Sequence, residues 1–191
     1  MEHTGEIESS GLPAFEHFYL NLFLKLGTAF RSDEAILADF RRSAADILRV
    51  VDENDLGGLS QIIRIPRLQG IEESSRNWSV LMVLNHLTQV NKGIMDTARA
   101  LKSNSQPFDV VRIADFKPSP DVGEEAIDQF REGCHRYWSF AKSHQPLRTT
   151  VTFKHPWFGD LDGHGWHFLA AAHQRIHRRQ IFKIMAMIGV A

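Results

Sequence analysis

The chain has 191 residues, enough to bury the core of one domain and too few for two compact domains of ordinary size. Hydrophobic residues at 43% and charged residues at 24% are ordinary for a globular protein and exclude a disordered or low-complexity class. The net charge of -1 argues against nucleic-acid binding, which draws its affinity from a strongly basic surface.

Cysteine use and apolar segments bear on the cellular location. The single cysteine, Cys134, excludes an intramolecular disulfide and a cysteine-rich zinc site. The first twelve residues contain Glu2, Glu6 and Glu8 and no apolar run, so they do not predict a secretory signal. Residues 15–30 form the longest apolar segment, but charged residues interrupt it and it is too short for a membrane span. We therefore expect a cytoplasmic protein without a membrane partner.

The chain begins with a predicted flexible tail over residues 1–12, followed by a single helical bundle domain over residues 13–191. Pro13 suits the first turn of a helix that runs to about residue 30. Apolar side chains recur along this helix at helical spacing: Phe15, Phe18, Tyr19, Leu22, Phe23, Leu26 and Phe30. This aromatic stripe either covers the bundle or meets a second subunit, and its spacing favours the core.

The next two helices have clear start signals. Ser32 is a good N-cap for a helix that we expect to end at Gly57 and Gly58. Residues 59–76 are predicted to be irregular, and a further helix follows over residues 77–101, with Asn77 or Ser79 as its cap. His86 lies at the edge of the apolar face of that helix.

A linker then covers residues 102–120, long enough to cross one end of a bundle so that the next helix runs in the same direction. We expect that helix to begin near Asp121 and to end near Ser143. A brief extended segment at residues 151–153 leads to Asp162, the predicted N-cap of the last helix. The chain is therefore predicted to be all-α.

His173 and His177 stand four residues apart on the last helix, so both imidazoles leave the same face. Apolar residues at the same spacing place that face toward the core. Buried imidazoles are either satisfied by hydrogen bonds or bound to a metal. With His86 on a second apolar face, three imidazoles converging from facing helices form the minimal face of a metal site with open positions.

Two familiar metal sites are excluded by the residues beside these histidines. A zinc protease of the His-Glu-x-x-His kind needs a glutamate where this chain has Gln174. A carboxylate-bridged di-iron site needs Glu-x-x-His pairs, which the predicted core faces lack. His155, His164 and His167 are expected to be structural or solvated. Basic residues on the last helix form either a solvated face or a rim that attracts an anionic substrate: Arg175, Arg178, Arg179 and Lys183.

Three motifs in order resemble the DinB/YfiT-like superfamily. They are Asn77-Trp78-Ser79-Val80 leading to His86-Leu87, then His155-Pro156-Trp157-Phe158-Gly159, then His173-x-x-x-His177-x-x-Gln180. The resemblance covers roughly residues 40–191. It implies an up-down-down-up four-helix bundle with a long crossover between the middle helices, and a metal triad that maps onto His86, His173 and His177. The aromatic N-terminal helix is an addition to that pattern and leaves the oligomeric state open, with a homodimer as one option.

The resemblance also implies a metal-dependent function. Members of the superfamily include thiol S-transferases and a maleylpyruvate isomerase that uses a low-molecular-weight thiol, so we expect a transferase or isomerase acting on a small molecule. Zn²⁺ or Ni²⁺ is favoured over Fe²⁺ or Mn²⁺, and a metal-bound thiol would have a lowered pKa. Gln180, one turn beyond His177, is a candidate to support that ligand from behind. Two alternatives stay open: a non-catalytic metal-binding or stress-related protein, and a metal-dependent hydrolase.

Overall fold

A computed structural model describes residues 14–105, 107 and 112–189, and the predicted tail at residues 1–12 lies outside this part of the chain. Six α-helices dominate it: α1 (Ala14–Phe30), α2 (Asp33–Asp52), α3 (Leu56–Ser60), α4 (Val80–Lys102), α5 (Glu125–Ser143) and α6 (Gly163–Ile188). Two short antiparallel pairs accompany them: β1 (Ile63–Arg64) with β2 (Asn77–Trp78), and β3 (Phe153–His155) with β4 (Gly159–Leu161). Short 3-10 turns lie at Glu73–Ser75 and Ile113–Phe116.

The predicted N-caps are confirmed at three helices. The side chains of Ser32, Ser79 and Asp162 each accept a hydrogen bond from a backbone N–H in the first turn of α2, α4 and α6, respectively. These bonds satisfy donors that a helix start would otherwise leave unpaired. Asn77, the alternative cap, lies in β2.

Three predicted boundaries were wrong. Helix α2 ends at Asp52, and Gly57 and Gly58 lie inside α3, whose own cap is the Asp55 side chain accepting from the Gly58 N–H at 2.8 Å. Helix α5 begins at Glu125, not near Asp121, and the Glu125 side chain accepts a hydrogen bond from the Gly123 N–H at 3.1 Å just before the helix. The extended segment is Phe153–His155 and not residues 151–153.

Cross-helix contacts give the direction of the four long bundle helices. Asp33 bonds to His164 and Asp46 to Arg178, so α2 and α6 run parallel. The Phe40 ring packs on Tyr137 and Asp52 bonds to Arg131, so α2 and α5 run antiparallel.

Helices α4 and α5 run parallel. Gln174 bonds to both Asn91 and Cys134, which places those two residues level with each other. Lys102, the last residue of α4, bonds to the carbonyl of Pro146 just beyond the end of α5. The order is therefore up-down-down-up, with the long connection between α4 and α5. The predicted all-α four-helix bundle is confirmed.

Helix α1 lies outside the bundle and packs on α6. The Phe23 ring lies 5.3 Å from that of Phe168, and Gly27 faces the same phenylalanine so closely that a Cβ would overlap its ring. Glu16 is only 3% exposed and forms an ion pair with Arg67.

The prediction that the aromatic stripe of α1 is core was wrong, because its large apolar side chains are exposed, up to 82% at Phe30. The bundle is already closed by four helices, and α1 needs only the narrow face around Gly27 to dock on it. None of the helices in the described ranges is long and apolar enough to cross a membrane.

Candidate metal centre

The structure brings His86, His173 and His177 together at the interface of α4 and α6. The Nε2 atom of His173 lies 3.2 Å from Nε2 of His86 and 3.1 Å from Nε2 of His177. One ligand atom from each of the three histidines lies within 4.8 Å of the others. This is the separation at which three imidazole nitrogens can share one metal ion at about 2.0–2.1 Å from each.

Hydrogen bonds behind two of the rings determine which nitrogen faces the centre. His86 Nδ1–H donates to the carbonyl of Phe116 at 2.6 Å, which leaves Nε2 with its lone pair. His177 Nδ1–H donates to Oε1 of Gln180 at 2.6 Å, and the amide of Gln180 in turn donates to the carbonyl of Ser75 at 2.7 Å. Gln180 therefore supports His177 from behind, where its spacing had suggested it would.

The three nitrogens do not satisfy one another. Nε2 of His173 faces two lone pairs and can carry a single proton, so at least one of the two lone pairs has no N–H directed at it. Nδ1 of His173 is buried and has no hydrogen-bond partner among the described residues. A cation at the centre would receive all three lone pairs, so the donor set fits a metal ion better than it fits a network of hydrogen bonds.

Burial keeps these imidazoles neutral. Desolvation lowers the pKa of His86 to about 4, against a smaller opposing effect of the Phe116 carbonyl. Desolvation, reinforced by the neighbouring histidines, also lowers the pKa of His173 and His177 well below the usual value. Because only neutral imidazole binds a metal, the triad is ready to act as a ligand set near neutral pH.

Trp78 packs against the side of the triad. Its ring lies 5.1 Å from that of His86 and is stacked, at 6.2 Å, on that of His177. Trp78 is in β2, directly before the cap Ser79 that starts α4. The short strand and the cap thus place a flat apolar surface beside two ligand rings.

The triad lines a cavity of about 570 Å³. Its wall comes from α1, α4, α6, the connection between α4 and α5, and the β3–β4 hairpin. Most lining side chains are apolar, including a group of aromatic residues: Phe23, Phe116, Phe153, Trp157, Phe158, Trp166 and Phe168. The acidic residues Glu72, Asp96 and Asp115 and the basic residue Arg112 are also among the lining residues. A cavity of this size and character suits a small molecule.

His155 is a cavity residue that sequence reasoning assigned to a structural or solvated role. It is buried at the end of β3, and its ring lies 4.8 Å from that of Phe158 and 5.4 Å from that of Trp166. Nδ1 accepts a hydrogen bond from the backbone N–H of Trp157 at 3.1 Å, so the ring proton is on Nε2. Burial lowers its pKa to about 4. The signal that could have identified it was the His-Pro-Trp-Phe-Gly motif.

His164 and His167 form a separate buried network with Asp33 and Tyr137, so they are structural and not solvated. His164 Nδ1 lies 2.6 Å from the carboxylate of Asp33, and His167 is held between the hydroxyl of Tyr137 and the carbonyl of Asp33. Burial raises the pKa of Asp33, but the hydrogen bonds from His164 and Leu147 outweigh it and the net shift is downward.

The basic residues of α6 do not form a rim around the cavity. Arg175 lies over the ring of Phe23, and Arg178 bonds to Asp46 at 2.6 Å. Arg179 and Lys183, like these two, are not among the lining residues. Cys134 is buried, and desolvation raises its pKa to about 12, which excludes it as a ready nucleophile.

Comparisons with known proteins give one likeness and no family. No family model matches the chain, and no curated protein matches it. A crystal structure described as TT2238, a four-helix bundle protein, is 23% identical over 78% of this chain and 96% of its own, with a TM-score of 0.49. Function must therefore be argued from the geometry of the site.

Proposed function

We propose that this chain is a cytoplasmic metal-dependent enzyme of the DinB/YfiT-like type, which binds a divalent metal through Nε2 of His86, His173 and His177. One observation carries the proposal: three neutral imidazole nitrogens lie within 4.8 Å of one another in the wall of a cavity of about 570 Å³. The reaction we favour is S-transfer or isomerisation with a low-molecular-weight thiol.

The donor set supports Zn²⁺ or Ni²⁺ over the alternatives. The cluster consists of three imidazoles, and within the described ranges no carboxylate or thiolate belongs to it. Imidazole suits Zn²⁺, Ni²⁺ and Fe²⁺, but Fe²⁺ binds a given set of ligands more weakly than the other two, and Mn²⁺ prefers oxygen ligands. Three protein ligands leave at least one coordination position open for a small molecule.

A metal held there would lower the pKa of a bound thiol, supplying thiolate near neutral pH. The remaining roles belong to residues of the protein. The carbonyl of Phe116 and the amide of Gln180 hold the rings of His86 and His177 in one orientation. The aromatic walls keep water away from the reacting groups. Arg112 offers a positive charge for a substrate carboxylate, and His155 offers a ring N–H donor.

A metal-dependent hydrolase is the second candidate, because the acidic residue Glu72 is among those that line the cavity and a carboxylate is a group that acts as a general base. The third alternative, a metal-binding or stress-related protein without turnover, predicts that no substrate class is converted.

The first test is the metal content of the purified protein. We expect about one divalent ion per chain in the wild type and a loss of metal in His86→Ala, His173→Ala and His177→Ala. The matched control is His135→Ala, an exposed histidine of α5 whose ring contacts Trp138. Unchanged metal content in the three triad variants would show that these histidines do not hold the metal.

The second test distinguishes the reactions. A cobalt-substituted sample is titrated with cysteine, glutathione and 2-mercaptoethanol while its visible ligand-field bands are recorded. We expect at least one thiol to shift the bands of the wild type. If no thiol shifts the bands and the protein cleaves ester substrates in a metal-dependent way, the hydrolase would replace the transferase as the proposed function. Absence of both responses would favour the non-catalytic alternative.

A further inference from the structure

The outer face of α1 carries six large apolar side chains that are between 42% and 82% exposed: Phe15, Phe18, Tyr19, Leu22, Leu26 and Phe30. We call this set the outer stripe. Its spacing of three and four residues places all six on one side of the helix. The opposite side contacts the bundle through Glu16, Leu24 and Gly27. The more apolar side of the helix thus faces solvent, the reverse of what a surface helix normally shows.

We propose that the outer stripe is a homodimer interface, in which α1 packs antiparallel against α1 of a second copy of this chain. The proposal is independent of the metal site.

The area of the outer stripe matches a dimer interface. Multiplying the exposed fractions by about 200 Å² for each aromatic residue and slightly less for each leucine gives about 700 Å² per chain. Stable interfaces bury about 800 Å² per partner, and isolated apolar patches on monomers are smaller. Contacts around the two helices would supply the remaining area.

The outer stripe is also complementary to itself. A two-fold axis between residues 22 and 23 sets Phe15 opposite Phe30 and Tyr19 opposite Leu26 of the second copy. The axis itself then lies beside Leu22. Among the described side chains of α1, Lys25 is the one exposed charge, and this pairing does not bring it against its own copy. Such an isologous contact closes on itself and gives a dimer, not a fibre.

Two other occupants fit less well. A helix that lies on a membrane surface needs a basic polar face, whereas α1 has a single lysine and its polar side is turned to the bundle. Residues 1–13 contain three glutamates and few apolar side chains, so they offer little to cover an aromatic face. A second copy brings an equal apolar area without a charge.

The dimer would also hold α1 against the cavity. The cavity wall includes three residues of this helix, Leu20, Phe23 and Leu24. Contact with the second copy would therefore also stabilise this part of the wall.

Sedimentation velocity over a range of protein concentrations tests the proposal. We expect the wild type to be a dimer, and Leu22→Lys to raise its dissociation constant by about 100-fold or more, because the change buries an unpaired charge at the axis. Ile62→Lys is the control, since Ile62 is comparably exposed but does not belong to α1. A monomeric wild type, or equal dissociation constants in the two variants, would overturn the interface. Binding of the monomer to anionic phosphatidylserine vesicles would assign the outer stripe to a membrane instead.

Cross-linking keeps the proposal testable if Leu22→Lys fails to fold. Leu22→Cys should give a covalent dimer with a short bis-maleimide, whereas Ile62→Cys should not. The buried Cys134 makes the wild type an unreactive background. Failure of Leu22→Cys to cross-link, in a sample that sediments as a dimer, would place the interface elsewhere and refute the pairing of the helices.

Discussion

Replacement of Gln180 by methionine isolates the support that the protein gives to His177, one of the three proposed metal ligands. Gln180 is fully buried, accepts from His177 Nδ1–H at 2.6 Å and donates to the carbonyl of Ser75 at 2.7 Å. Methionine has nearly the same length and volume, so the variant removes both hydrogen bonds without leaving a cavity. The ring of His177 is then free to turn and its tautomer is no longer determined.

We expect the metal affinity to fall by about 10–100-fold, the range measured when a hydrogen bond behind a ligating histidine is removed. That loss corresponds to about 1.4–2.7 kcal/mol of binding free energy. The free energy of unfolding of the metal-free protein should fall as well, by about 2–4 kcal/mol, because a buried N–H and a buried carbonyl both lose their partners.

Competition with a chromophoric chelator measures the affinity, and urea unfolding in excess chelator measures the stability. Gln174→Met is a matched control: Gln174 is also a fully buried glutamine of α6, but its side chain bonds to Asn91 and Cys134 and not to the triad. It should lose stability while keeping its metal affinity. Equal affinities in Gln180→Met and the wild type, or equal losses in both variants, would refute the role given to Gln180.

Three further predictions concern stability. Gly27→Ala should lower the thermal midpoint even though alanine favours helix by about 1 kcal/mol, because its Cβ overlaps the Phe168 ring; a raised midpoint would contradict the docking of α1. The pKa of His155 is about 4 in the folded protein and near 6.5 in the unfolded chain. As the pH decreases below 6.5 the unfolded chain takes up this proton first, so the free energy of unfolding decreases, by about 2 kcal/mol at pH 5. In urea titrations with excess chelator, the free energy of unfolding of His155→Asn should depend less on pH than that of the wild type, by that amount. Equal pH dependence in the two proteins would refute the prediction. Ser79→Ala removes the cap bond to the Met82 N–H and should lower the free energy of unfolding by about 1 kcal/mol in the same assay. An unchanged free energy would show that this cap does not stabilise α4.

The clustering of the three histidines could be predicted because its signal is local. His173 and His177 are one helical turn apart, and the apolar residues around them show which way that face points. Helix α4 provides the same information for His86. A bundle core lets two apolar faces meet, and the structure places α4 beside α6 with the three Nε2 atoms within reach of one ion.

The partners behind the rings were only partly predictable. Gln180 is on the same helix as His177, so its contact follows from helical spacing. Phe116 is thirty residues from His86 and belongs to the connection between α4 and α5, whose path no local pattern describes. The same holds for His155, which reaches the cavity because the β3–β4 hairpin folds over it.

The position of α1 shows where periodicity misleads. Its aromatic stripe has the spacing of a core helix, and periodicity reports only that one face is apolar. Whether that face meets the chain's own bundle or a second copy depends on which surfaces remain free after the other helices have packed. Here the narrow side with Gly27 docks on Phe168, and the aromatic side is left outside.

The sequence by itself predicted the long helices, the caps of α2, α4 and α6, the parallel direction of α4 and α5 implied by the long linker, and the three histidines, since each depends on contacts within a few residues or on the length of a connection. Only the tertiary structure decided which nitrogen of each ring faces the centre, what encloses the cavity, and which side of α1 is exposed. Those features depend on groups far apart in the chain, brought together by packing, and no local spacing encodes such contacts.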